Sequence, residues 1–278
     1  MILESSSLII WVLLAFAIIL SFLRRTLSTI IVLSTTLIAA FFLDQLDISA
    51  LISTILIFIL SYKTPLLKKK WKQISLSIIT LWSLGVFFHV IPGFHNFKVL
   101  DNVIAGPKSS PFTMYLNLDK PLIFFVLLLA LPKIMEPHPP IPNIKAIFIT
   151  IFPLFSLLFI ASLIKAIQLE LTIPSWWWIF AFNNLLFTCV SEESFFRAYI
   201  QKNITTQIGW IPGLVLASLL FGLAHFSGGL LLIFFSTLAG LGYGSIFHFS
   251  HRLWVGVLFH FLFNFIHLIF FTYPILAK

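Results

Sequence analysis

The chain of 278 residues contains one cysteine and nine acidic side chains, and charged residues of both signs make up only 9% of it. Each scarcity excludes something. The single thiol, Cys189, cannot form an intrachain disulfide, and inside an apolar run it behaves as a small hydrophobe. So little charge excludes a water-solvated globular domain, whose surface needs far more. No HExxH pair is present to place two imidazoles on one helix face, which argues against that kind of metal site. No internal repeat is visible. What fills the chain instead is hydrocarbon: 60% of the residues are hydrophobic and 33 are Phe.

Apolar runs with polar ends fall near residues 8–23, 27–43, 48–62, 74–91, 120–132, 146–163, 175–203, 210–226, 229–247 and 255–271. A spanning helix needs roughly 20 mostly apolar residues. The pattern therefore predicts an all-α polytopic membrane helix bundle of about 8–10 transmembrane helices. The fifth run is short enough to be re-entrant. The first has Glu4 before it and Arg24 and Arg25 after it, the reverse of a secretory leader, and reads as a retained anchor. The link over 92–121 is too polar to span, and no role can be read from it. The stiff stretch EPHPPIPN at 136–143 ends helices. With the boundary drawn beyond it, residues 1–170 are N-terminal helices of unassigned role and 171–278 form the core.

The formal net charge of +8 lies in short links and not on one folded face, which argues against nucleic acid as a partner. With the N-terminus outside, Arg24, Arg25, Lys63, Lys68, Lys69, Lys70, Lys72, Lys133, Lys145, Arg197, Lys202 and Arg252 all fall on the inner side. Asp44 and Asp47 fall outside, together with Lys98, Lys108, Lys120 and Lys165. This obeys the positive-inside rule, with Trp71, Trp210 and Trp254 at the inner boundary and Trp176 to Trp178 at the outer one.

Among the acidic residues only Glu192 and Glu193 fall well inside a run. An ionised group in hydrocarbon costs several kcal/mol, so such a pair is either neutralised by partners or kept for chemistry. Glu193 and Arg197 are four apart on one helix face and can pair. Glu192, rotated by about 100° at 3.6 residues per turn, points elsewhere and is the candidate general base. A salt-bridge cluster joining helices is the competing account. FGLAH places His225 near the end of the next run, either as a satisfied polar group or as a functional one. HFLFN sets His260 and Asn264 four apart on the last helix, converging donors that could equally form an interhelical hydrogen bond. His267 continues that stripe and would complete a metal site with His260 and Glu192, a reading disfavoured by the ligand spacing. His89, His95 and His138 sit at ends or in links without an evident acid-base partner. Asn183 and Asn184 read as helix-helix contacts, and Gly240 and Gly244 as a GxxxG close approach.

Taken together, EESFFR at 192–197, FGLAH at 221–225 and HFLFN at 260–264 resemble the EExxxR, FxxxH and HxxxN signatures of the CPBP family, the CAAX proteases and bacteriocin-processing enzymes also called Abi proteins. The likeness covers about the last hundred residues; Ala198 stands where many members have Gly. It implies an all-helical intramembrane glutamate protease that acts on a membrane-associated protein or peptide within the lipid bilayer and uses no metal or other cofactor. By position it implies that Glu192 and His225 activate water, that His260 and Asn264 stabilise the oxyanion, and that Glu193 and Arg197 are structural support. The expected location is the bacterial cytoplasmic membrane, with the site open toward the cytoplasm. A proton-coupled transporter and a non-catalytic scaffold or immunity protein of the same fold are the alternatives. Repeat symmetry expected of many transporters is missing, and no GxSG or GxGD motif supports serine or aspartyl chemistry.

Overall fold

The computed structural model describes residues 5–135 and 139–277, with side chains from Leu8 onward. Its elements follow the hydropathy. They are α1 (Ser5–Phe22), α2 (Thr26–Phe42), α3 (Ile48–Lys63), α4 (Lys69–Phe87), β1 (Phe97–Val103), β2 (Phe112–Leu116), α5 (Asp119–Ala130) and α6 (Ile144–Leu163). Next comes α7, a composite of Trp177–Asn183, a π segment Asn184–Cys189, Val190–Glu193, a second π segment Ser194–Gln201 and Lys202–Ile208. Three more helices, α8 (Trp210–Leu223), α9 (Gly229–Ser250) and α10 (Leu253–Phe270), complete the bundle. The polar link between α4 and α5 holds the paired strands β1 and β2, which hydropathy did not indicate. His138 lies outside the described residues.

Among the described residues four segments are long and apolar enough to cross a membrane: Ile48–Leu66, Ile144–Leu163, Phe226–Ser250 and Leu253–Phe270. α6 shows why this is a membrane protein. Leu154, Leu157, Leu158 and Ala161 face inward, yet Phe148, Phe152, Phe159 and Leu163 are exposed, so it is apolar on both sides. A soluble helix would put charge there; lipid requires none. Several hydroxyls inside the helices bond back to the preceding turn, as Thr36 does to Val32 O (2.8 Å) and Thr150 to Ala146 O (2.9 Å), which lowers their cost in hydrocarbon.

The chain divides into two compact units. The first comprises Met1–Val99, Tyr115–Met135 and Leu186–Ser191. Its centre is α5, buried along nearly its whole length from Asp119 to Leu127. At about 1.5 Å per residue, a helix of 12 residues is too short to cross a bilayer core. It is an internal helix, with Phe124 stacked on Phe22 at 5.4 Å.

The second unit comprises Leu100–Met114, Glu136–Leu185 and Glu192–Lys278. Within it α9 packs on both α8 and α6, and small residues permit the approach. A side chain at Gly242 would meet Leu154, and one at Gly244 would meet Gln201 and Leu214. The chain beyond α10 returns against earlier segments. Thr272 exchanges backbone and hydroxyl hydrogen bonds with Gln168, and Glu170 accepts from Lys108 N (2.8 Å) and Ser109 Oγ (2.7 Å). The Tyr273 ring packs on Phe112 and Phe180.

Candidate active site

The EESFFR stretch sits where α7 departs from α geometry. Glu192 and Glu193 occupy a four-residue α segment with π segments on both sides. π insertions bond i to i+5, displace the side-chain register and occur frequently at functional sites. Glu193 and Arg197, both fully buried, approach to 3.5 Å between Oε2 and Nε. The guanidinium also lies over the Phe221 ring at 5.0 Å, a cation–π contact strengthened by desolvation.

The expected divergence of the two glutamates is corrected by what lies between them. His260 Nδ1 donates to Glu193 Oε1 at 2.9 Å, while its Nε2 stands 3.9 Å from Glu192 Oε2. Carboxylates about 100° apart on one helix reach the two nitrogens of a single ring, because those nitrogens sit on different edges. The Nδ1–H bond to Glu193 fixes the ring's orientation. Gly256, one turn before His260 on α10, makes this possible: a Cβ there would stand 3.1 Å from Glu193 Oε2.

His260 is further held by stacking. The Tyr243 ring lies parallel to it, 4.3 Å between centroids and 15° between planes, and Phe221 meets it edge-on at 5.7 Å. Tyr243 is itself buried.

His225, just past α8, is drawn to the same assembly through Phe221, with ring centroids 4.7 Å apart. Its Nδ1 donates to Phe221 O at 2.8 Å, so Nε2 is the nitrogen turned away from that carbonyl. Asn264, one turn after His260, donates through Nδ2 to Asn184 Oδ1 at 3.2 Å. Asn184 opens the first π segment of α7, so α7 and α10 are joined by two polar contacts, one on each side of a helical turn.

Phe221, Tyr243 and Asn184 thus belong to the site, although the sequence reading gave none of them a chemical role. Each had a signal: Phe221 opens FGLAH, Tyr243 lies in GLGYG, and Asn184 is a polar residue within an apolar run. His267 is engaged elsewhere, its Nε2 donating to Thr272 O at 3.1 Å. Among the described residues no three His, Cys, Asp or Glu side chains are placed to hold one metal ion. His89 and His95 do have acidic partners, contrary to expectation: His89 pairs with Asp119 at 2.6 Å and His95 with Asp47 at 3.0 Å.

Helices apolar on their lipid side, enclosing paired carboxylates and imidazoles, define an integral membrane protein with a buried cluster of ionisable side chains. Residues 174–266, about a third of the chain, match the family model described as type II CAAX prenyl endopeptidase Rce1-like, and the three motifs that resemble the CAAX proteases fall within that stretch. No curated protein and no solved structure matches the chain.

Proposed function

We propose that the protein is an intramembrane endopeptidase that hydrolyses a peptide bond of a membrane-associated protein or peptide by glutamate catalysis. The observation that carries this is the placement of His260 against both glutamates, within the segment matched by the CAAX endopeptidase model. In this reading residues 171–278 are the catalytic core. The basic links favour an orientation with the site toward the cytoplasmic side, and a bacterial inner membrane is the proposed location.

Glu192 and His225 hold a water molecule. Its O–H proton passes to Glu192 as its oxygen bonds to the scissile carbonyl carbon, and the carbonyl electron pair moves onto oxygen. That oxyanion is met by Asn264 Nδ2–H and by His260, which must carry a proton on Nε2 when the carbonyl arrives. Collapse of the intermediate breaks the C–N bond, and Glu192 returns the proton to the leaving amine. Glu193 and Arg197 do not touch the substrate; they hold His260 in place. Hydrogen-bond donors set for the developing charge supply most of such an acceleration, and losing one costs roughly 100- to 1000-fold.

The test compares wild type with Glu192→Gln in liposomes, using a prenylated CAAX peptide and terminal proteomics of membranes from cells expressing each form. Cleavage should fall by at least about 100-fold in the variant, with unchanged thermal unfolding. Equal cleavage by the two forms would falsify the assignment.

A further inference from the structure

The first unit carries a marked concentration of like charge. Its acids gather at one end. Asp44 and Asp47 stand between α2 and α3, and Asp47 N donates to Gly93 O, just beyond α4, at 2.8 Å. That tie makes α3 and α4 antiparallel. Asp119 pairs with His89 at the same end of α4. Arg24 and Arg25 stand in the α1–α2 turn, and Lys63, Lys68, Lys69, Lys70 and Lys72 cluster around the α3–α4 turn at the other end of α3, while Lys120 lies beside Asp119. The 16 residues of α3 separate the two ends by about 24 Å at ~1.5 Å per residue.

The lysine turn is fixed by hydrogen bonds. The buried Thr64 and Ser75 hydroxyls bond across it at 2.6 Å, and Thr64 also donates to Leu60 O. No acidic residue occurs between Asp47 and Asp101. Among the described residues no carboxylate forms a salt bridge with these five lysines. Tyr62, Leu66 and Trp71 are exposed among them. The segment Ile48–Leu66 is long and apolar enough to cross a membrane, so the turn emerges at headgroup depth, where Tyr and Trp settle.

We propose that this turn is a binding face for anionic phospholipid, with the headgroup phosphate held by Lys68, Lys69, Lys70 and Lys72 and with Trp71 beside the acyl-chain boundary. Like charges clustered on a rigid turn repel one another unless an anion stands between them. At this depth the phosphate of a bilayer lipid is the anion at hand. A lysine near an anionic surface contributes a factor of about five in binding. The face depends on membrane integration and not on peptide hydrolysis.

The full-length protein in phosphatidylcholine vesicles, with and without phosphatidylglycerol, is extracted into mild detergent, and its retained lipid is counted by native mass spectrometry. Wild type should favour phosphatidylglycerol by about tenfold or more, and high salt should weaken the preference. Replacing Lys68, Lys69, Lys70 and Lys72 with Gln should abolish it while unfolding in phosphatidylcholine stays unchanged. Replacing the same four with Arg should retain it. Loss of the preference in the Arg form, or an equal preference in wild type and the Gln form, would overturn the proposal. So would displacement of the lipid by inorganic phosphate at the same ionic strength, because the face would then be a soluble-anion site.

Discussion

His260 is held from several sides. Glu193 takes its Nδ1–H, Glu192 faces Nε2, Tyr243 covers one ring face and Phe221 meets its edge. These contacts separate the roles of neighbouring residues. Tyr243→Phe preserves the stack and should keep kcat within a few-fold, while Tyr243→Leu frees the ring and should lower kcat by about tenfold or more with KM little changed. Equal losses in Phe and Leu would assign the effect to the hydroxyl instead. Glu193→Ala leaves Arg197 as an unpaired buried charge, and breaking such a pair costs about 3–5 kcal/mol. Its melting temperature should fall well below that of Glu192→Gln, and a variant that melts with wild type would show the guanidinium finding another partner. The sequence singled out Glu192, Glu193 and Arg197 because charge inside an apolar run is conspicuous. It gave Tyr243 and Phe221 no chemical role because, in a chain with 33 Phe, an aromatic residue is marked only by the motif around it.

At the scale of elements, most helices were legible because each needs a long charge-poor run. Two were read incompletely for physical reasons. α5 has the hydropathy of a span but too few residues to cross, and only its enclosure by protein identifies it as an internal helix. α7 was read as a uniform helix, whereas its π segments alter which residues share a face. No local composition announces an i to i+5 bond. The paired strands β1 and β2 were missed because the link that holds them is polar and lacks a clear two-residue period. Glycine decides how closely α10 meets α7. A valine at position 256 would drive its methyls against the Glu193 carboxylate, and Gly256→Val should destabilise by about 1–3 kcal/mol. Catalysis should fall further than that loss explains, as measured at a temperature where the variant remains folded. A similar contact exists at Gly222, where a Cβ would collide with Thr237 Oγ1 and Ile233 O.

At the scale of the whole molecule, the solvent sets the design. Exposed Ile, Leu and Phe cover the spanning helices. Cys189 has 0% exposure and is the sole thiol, so it reports opening of the fold. In native protein in mild detergent, maleimide labelling should be slow and should accelerate with the thermal unfolding seen by circular dichroism. Prompt labelling below that transition would mean that the helix around Cys189 opens independently.

The sequence by itself determined that the chain is a membrane-embedded helical bundle, because hydrocarbon demands long charge-free runs. It also marked where its few polar side chains fall, because each is costly there. Only the tertiary structure decided that His260 stands between the two glutamates, with Arg197 behind one of them and Asn264 bonded to Asn184. Those contacts join residues 67 and 80 positions apart, and they depend on helix crossing, π register and the missing side chain of Gly256, none of which a local stretch of sequence encodes.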